Sequence, residues 1–270
     1  MRILMVGDVI GRPGRHAVKA ILPGLRAAEG VDLVIANGEN AAGGRGLTPP
    51  TAAELLAAGV DVLTSGNHVW DQKEIIPYLE QHPEAPILRP ANYPPGAPGR
   101  GHWVADLGQR GRALVLNLCG RVTLVDIDCP FREADRLLAT LSHRPPVVIV
   151  DMHAEATSEK SAMGWHLDGR VSAVLGTHTH IATADARLLR QGTAFVTDVG
   201  MVGPYNSVIG GEIKPILQHF LTQLPVRFVV GQGPVIFNAV LVDVDASTGR
   251  ATAIRRIDQL LPDAEAGSPD

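Results

Sequence analysis

Short apolar runs rich in β-branched residues alternate with helical patterns through the first two thirds of the chain. Such runs are typical of buried strands, and the segments between them carry apolar residues at a helical spacing. The pattern predicts strands at residues 2–6, 31–36 and 60–64, and helices at residues 15–29, 51–58 and 71–81. Strand, helix and strand in this order favour right-handed crossovers onto a largely parallel sheet.

The rest of the chain contains more strands than helices. Residues 87–101 are rich in Pro and Gly and predict an ordered loop. Further strands are predicted at residues 113–118, 122–125, 147–152, 172–176, 194–198, 235–243 and 251–257, and helices at residues 131–141 and 212–224. This order predicts a single α/β domain around two sheets over residues 1–261, followed by a polar, flexible tail at residues 262–270.

Composition narrows the classes of partner. Hydrophobic residues make up 45% of the chain, charged residues 19%, and the formal net charge is −4. The negative net charge and the absence of a basic run exclude electrostatic attraction to nucleic-acid polymers. A small phosphorylated ligand is still compatible with this composition, because metals could supply the positive charge locally. The absence of a long apolar stretch or signal-peptide pattern predicts a cytoplasmic protein without a membrane span. Cys119 and Cys129 lie outside any CxxC pair and are predicted to be buried free thiols.

Polar and ionisable residues follow five of the predicted strands at the points where the strands end. The residues are Asp8 after the first strand, Glu39 and Asn40 after the second, Asn67 and His68 after the third, His153 after a later strand, and His178 and His180 after the next. Because the carboxyl ends of parallel strands share one edge of a sheet, we expect two carboxylates, two amides and four imidazoles to converge there. His178 and His180 are two residues apart, so in an extended segment their rings would face the same side.

The donors in this set are carboxylates, amides and imidazoles, without a thiolate. They suit manganese, iron or zinc, and a bridging carboxylate with several further ligands suits two metals about 3.5–4 Å apart. Each residue alone has a simpler interpretation. Asp8 could cap a helix, His153 could be a core histidine, and Asn40 could shape a left-handed turn. Asp71 stands at a predicted helix start, which favours capping over orienting His68.

The order of these groups resembles the calcineurin-like metallophosphoesterase superfamily. More narrowly, the segments GDVIG at residues 7–11, HAEATSEK at 153–160 and GMVGPY at 200–205 resemble its YmdB-like branch, and the similarity spans essentially the whole chain. The chain departs from the general superfamily pattern at Ile10, where that pattern has His, and at Glu39, where it has Asp. The YmdB-like branch shares both departures.

The resemblance implies a four-layer α/β/β/α sandwich of two mixed sheets flanked by helices. It also implies two first-row metal ions, iron or manganese with zinc as an alternative, and hydrolysis of nucleoside 2′,3′-cyclic phosphates by a hydroxide that bridges the metals. By position, the first metal would take Asp8, Glu39, Asn40 and His180, and the second would take Glu39, Asn67, His153 and His178. His68 would be the catalytic residue that meets the substrate.

Two other functions stay open. One is a phosphomonoesterase or 5′-nucleotidase with the same metal site, and the other is a regulatory nucleotide-binding module with little turnover. The expected partner is a small cyclic nucleotide rather than a nucleic-acid polymer or a membrane. The sequence leaves open the metal identity, the base preference, homo-oligomerisation and the roles of Asn92, Tyr93, Tyr205 and Asn206.

Overall fold

Two mixed β-sheets lie face to face in the structure, a computed structural model that describes residues 1–141 and 143–262. Except for Pro262, the predicted tail at residues 262–270 lies outside the described residues. The first sheet contains β1 (Arg2–Val6), β2 (Asp8–Val9), β3 (Leu33–Asn37), β4 (Val62–Thr64), β11 (Met201–Pro204), β12 (Val235–Val244) and β13 (Ala251–Leu261). Its order is β2-β11-β12-β1-β3-β4, with β13 paired to β12. Strands β1, β3 and β4 are parallel, and β12 is antiparallel to β1.

The second sheet is parallel in its centre. It contains β5 (His102–Asp106), β6 (Arg112–Cys119), β7 (Val147–His153), β8 (Ala173–Thr177), β9 (Arg187–Leu188) and β10 (Ala194–Val196), in the order β5-β6-β7-β8-β10-β9. Strands β6, β7, β8 and β10 run parallel, and the two edge strands are antiparallel to their neighbours. The carboxyl ends of the central strands therefore lie together at one edge.

Helices cover the outer face of each sheet. They are α1 (Gly11–Glu29), α2 (Pro49–Ala57), α3 (Ile75–Gln81), α4 (Pro130–Thr140) and α5 (Thr157–Leu167), whereas α6 (Ile213–Thr222) has no buried residue. Strand β1 shows the layering: Leu4 packs in the core beneath α1, whereas the alternate residue Met5 packs in the core between the sheets. A third core lies between the second sheet and helices α4 and α5. These layers confirm the predicted α/β/β/α sandwich.

No helix within the described ranges is long and apolar enough to span a membrane. Both cysteines are free, as the sequence predicts, and Cys119 is buried, but Cys129 is only partly buried.

Most predicted elements are present with shifted ends, and three differences matter for the site. Helix α3 begins at Ile75 and has Glu74 at its N-cap position, so the prediction that Asp71 caps this helix is wrong. The strand predicted at residues 122–125 is also wrong, because residues 121–124 form a turn whose backbone N–H groups donate to the carboxylate of Glu159. Helix α5 was not predicted, since Glu159 and Lys160 occupy buried positions on it and interrupt the apolar pattern.

Candidate metal centre

The carboxyl ends of strands from both sheets meet at one place. Strand β3 ends at Asn37, which pairs with Thr64 at the end of β4, and β7 ends at His153, which pairs with Thr177 at the end of β8. Across the two sheets, Asn37 Nδ2 lies 3.2 Å from His153 Nδ1. The edge therefore brings together all eight residues that the sequence singles out, with Asp8, Glu39 and His153 fully buried.

One group of donors surrounds His153. Its Nε2 atom lies 3.0 Å from Glu39 Oε1, 3.0 Å from Asn67 Oδ1 and 3.0 Å from His178 Nδ1. Ligand atoms of Glu39, His153 and His178 all lie within 4.8 Å of one another, a spacing compatible with one metal ion. Together with Asn67, these three residues are the set that the family resemblance assigns to the second metal.

A second group lies around His180. Its Nε2 atom is 3.2 Å from Asn40 Nδ2 and 3.9 Å from Asp8 Oδ1. In the part of the chain that the structure describes, Asp8 Oδ1 is the buried side-chain polar atom without a hydrogen-bond partner. An unpaired carboxylate oxygen in a dry interior is costly unless a cation lies beside it. The residues at this position therefore fit a bound metal ion.

Electrostatics of the cluster favour a positive charge at its centre. Burial opposes ionisation of Glu39, but the charges of His153 and His68 outweigh it and lower the pKa of Glu39 to about 2. Burial likewise disfavours the imidazolium of His153, but Glu39 and Asp8 raise its pKa to about 9. Because the carboxylates stabilise the positive charge of the protonated His153 ring, a metal ion could take the place of its proton. Burial, reinforced by His153, lowers the pKa of His178 to about 3, which keeps that ring neutral and able to donate a lone pair.

A buried network fixes which nitrogen of His153 faces the cluster. Thr177 Oγ1 lies 2.7 Å from Asp151 Oδ1 and 3.0 Å from His153 Nδ1. Since the hydroxyl has one proton and gives it to the carboxylate, it accepts from Nδ1–H of His153. Thr64 Oγ1 also donates to Asp151, at 2.5 Å. This tautomer leaves Nε2 free as a ligand atom. Asp151 is not among the residues that the sequence singles out, and its only signal there is an acidic residue directly after an apolar run.

The two other histidines of the last motif reach the cluster from an unexpected backbone conformation. His178 has φ 101° and His180 has φ 64°, so the segment after β8 forms a left-handed turn. The expectation of an extended segment was wrong, although both rings do point toward the same cluster. Glu155 Oε2 lies 3.0 Å from His178 Nε2. If His178 donates Nε2–H to this carboxylate, its Nδ1 lone pair faces the cluster, a role that sequence analysis did not assign to Glu155.

His68 stands at the side of the cluster. Its backbone N–H donates to Glu39 Oε2 at 3.0 Å, whereas its ring Nδ1 lies 2.9 Å from Asp71 Oδ2. The side chain is 24% exposed. Asp71 therefore orients His68, which corrects the capping role expected from the sequence. The contact with Asp71 uses Nδ1 of the ring and not Nε2.

Two residues left open by the sequence have structural contacts. The buried amide of Asn92 donates to Cys119 O and Asp128 O and accepts from Cys119 N, so its hydrogen-bonding capacity is used in shaping the loop. The ring of Tyr93 packs edge-on against Trp70, with centroids 5.8 Å apart. Tyr205, by contrast, is 56% exposed.

Comparisons with known proteins cover nearly the whole chain. The profile of a family described as YmdB-like protein matches residues 4–257. A Bacillus subtilis (strain 168) protein named 2′,3′-cyclic-nucleotide 2′-phosphodiesterase is 48% identical over 258 residues, which are 95% of this chain and 96% of that protein.

Two solved structures are similar over their full length. A hypothetical protein from Thermus thermophilus has a TM-score of 0.90 and 46% identity, covering 97% of this chain and 100% of its own. A novel phosphatase from Mycoplasma pneumoniae has a TM-score of 0.90 and 32% identity, covering 98% of this chain and 95% of its own. The matched region includes every strand end that contributes to the cluster.

Proposed function

Because the chain belongs to the YmdB-like protein family, we propose that it is a metal-dependent phosphodiesterase that hydrolyses nucleoside 2′,3′-cyclic phosphates. The observation that carries this proposal is the buried cluster of oxygen and imidazole donors, in which Asp8 Oδ1 has no partner of its own. The 48% identity to a protein named for this activity supports the choice of substrate class.

The proposed ligands form two groups that share Glu39. The first metal takes Asp8, Glu39, Asn40 and His180, and the second takes Glu39, Asn67, His153 and His178. Carboxylate and amide oxygens with imidazole nitrogens suit iron or manganese, and also allow zinc. When bound, two such ions lower the pKa of water and neutralise charge on the phosphoryl oxygens.

His68 is proposed to act on the leaving group. Its Nδ1 atom is held by Asp71 at 2.9 Å, so its other nitrogen can donate a proton to the departing oxygen. In a cyclic phosphodiester that oxygen stays attached to the ribose, and one well-placed acid can therefore serve it. The hydrogen bond from the His68 backbone to Glu39 fixes the ring next to the metal ligands.

A comparison of three substrate classes tests the function. We expect kcat/KM of the metal-loaded protein for a 2′,3′-cyclic nucleotide to exceed that for the 3′,5′-cyclic isomer and for a monoester of the same base by at least about tenfold. The His68→Ala protein, purified in the same way, controls for contaminating nucleotidases. A preference for monoesters would indicate a phosphatase instead, and metal-loaded protein without turnover would indicate a regulatory binding module.

Asn40 provides a test of the first metal. Its side chain is buried beside His180. Asn40 is not among the described residues that have a positive φ, so a left-handed turn does not explain why asparagine stands here. If its amide oxygen binds the ion, Asn40→Ala should weaken the first metal selectively. Activity should then fall at low Mn²⁺ and partly recover at high Mn²⁺, as measured by titration. An Asn40→Gly protein with full metal content and full activity would contradict the assignment.

A further inference from the structure

A charged pair lies completely buried behind the left-handed turn that carries His178 and His180. Lys160, on α5, extends its amino group to Asp198, with 2.6 Å between Nζ and Oδ2 and 0% exposure of either side chain. Burying two charges is expensive, so a buried pair is retained when further hydrogen bonds satisfy it or when it has a specific role. Neither residue belongs to the proposed ligands or contacts the substrate in the proposed mechanism.

Asp198 also accepts hydrogen bonds from the turn itself. Its Oδ2 atom accepts from the backbone N–H of Thr179 at 3.0 Å and from the Thr179 hydroxyl at 2.8 Å. Thr179 stands between His178 and His180, whose left-handed backbones are uncommon for residues other than glycine. Two hydrogen bonds to the central residue therefore hold a conformation that the chain would not adopt on its own.

The same carboxylate is also linked to β2 through Gly200. Asp198 Oδ1 accepts from the backbone N–H of Gly200 at 2.9 Å, and the carbonyl of Gly200 accepts from the backbone N–H of Asp8 at 3.0 Å. Asp8 Oδ2 in turn accepts from the backbone N–H of His178 at 3.1 Å. Asp198 is thus linked to the backbone at two of the three strand ends that supply the proposed ligands of the first metal, those of Asp8 and His180.

Strand β8 has a glycine where the lysine stem passes. A Cβ atom on Gly176 would lie 1.8 Å from Thr197 O and 2.9 Å from Lys160 Cδ. Any larger residue would therefore displace either the lysine stem or the segment that carries Asp198. The fold makes room for the pair by a close approach that only glycine allows.

We propose that Lys160 and Asp198 are a positioning pair, in which Lys160 neutralises and fixes Asp198, and Asp198 holds the turn so that His178 and His180 present their rings to the metals. Lys160 also offsets a negative charge that would otherwise add to those of Asp8 and Glu39 in the same interior. The inference rests on the metal site of the proposed function, and it concerns metal binding rather than substrate choice.

Three substitutions test this role at graded strength. Lys160→Met keeps the length of the stem and removes the charge, Thr179→Val removes the hydroxyl that donates to Asp198, and Thr179→Ser restores a hydroxyl. The control is Thr193→Val, because Thr193 is a fully buried threonine whose hydroxyl donates to Val171 O, next to the N-terminal ends of β8 and β10 and not to Asp198. Calorimetric titration of the metal-free proteins with Mn²⁺ gives affinity, and the visible spectrum of the Co²⁺ form reports ligand geometry.

We expect Lys160→Met to weaken Mn²⁺ binding about 10–100-fold and to change the Co²⁺ spectrum, as loss of a group that supports metal ligands does. Thr179→Val should change both quantities in the same direction by a smaller factor, and Thr179→Ser should match the wild type. Thr193→Val should lower the melting temperature without changing Mn²⁺ affinity. That contrast separates positioning from a general contribution to stability.

Wild-type affinity and spectrum in the folded Lys160→Met and Thr179→Val proteins would overturn the inference. If Lys160→Met does not fold, Thr179→Val decides alone. A wild-type chain that bound no metal would overturn the metal site and the positioning role with it. Metal binding without hydrolysis of cyclic nucleotides would overturn only the proposed substrate and leave this test standing.

Discussion

Replacing His68 with alanine is expected to lower kcat by roughly 10²–10⁴ while leaving the metal content unchanged, as loss of a general acid does. The ring pairs with Asp71 through Nδ1, and only the backbone N–H of His68 contacts Glu39, so the substitution removes the acid and keeps that contact. Steady-state kinetics on 2′,3′-cyclic nucleotides, together with elemental analysis of the same preparation, measure the two quantities.

His82→Ala is the matched control for this prediction. His82 is an exposed histidine that is also paired with a carboxylate, since its Nδ1 lies 3.1 Å from Glu84 Oε1, but it follows α3 away from the donor cluster. Its replacement should leave kcat unchanged. Loss of metal from the His68→Ala protein would instead make His68 a ligand, and an unchanged kcat would exclude it from the chemistry.

The order of strands and helices could be predicted because the buried strands are continuously apolar. Residues 147–150 are all Val or Ile, and a strand that is buried on both faces has this composition. The convergence of the donors followed from the same reasoning, since a parallel sheet brings the carboxyl ends of its strands to one edge. Asp8 Oδ1 and His153 Nδ1 lie 3.9 Å apart in the structure although 145 positions separate the two residues along the chain.

Helix α5 could not be predicted, because buried charged residues interrupt the apolar pattern of a helix. Lys160 is fully buried, yet a lysine normally indicates an exposed position. Its partner Asp198 is 19 positions from Thr179, and Asp151 acts on His153 through Thr177, which is 26 positions away, so no local motif marks either carboxylate. The left-handed turn at His178 was missed for a related reason, since the hydrogen bonds that hold it come from another strand end.

Replacing Glu39 with glutamine should reduce the metal content from two ions per chain to at most one and lower kcat/KM by about 10³ or more. The shared carboxylate lies between the two donor groups, with Oε1 3.0 Å from His153 Nε2 and 3.5 Å from Asn40 Nδ2. Two metals contribute several kcal/mol to stabilising the transition state at phosphorus, and each 1.4 kcal/mol corresponds to a factor of ten in rate. Elemental analysis and kinetics at saturating Mn²⁺ measure both effects.

Glutamine has the shape of glutamate, but neither orientation of its amide suits this position. If the amide nitrogen replaces Oε1, the ligand atom is lost. If it replaces Oε2, the amide N–H faces the backbone N–H of His68, which in the wild-type protein donates to Oε2 at 3.0 Å. Glu133→Gln is the matched control, because that carboxylate is only 15% exposed and pairs with Arg136 on α4, outside the donor cluster. It should retain metal and activity. A Glu39→Gln protein that kept two metals and its rate would show that Glu39 does not bridge them, and the assignment of Glu39 as the shared ligand would fail.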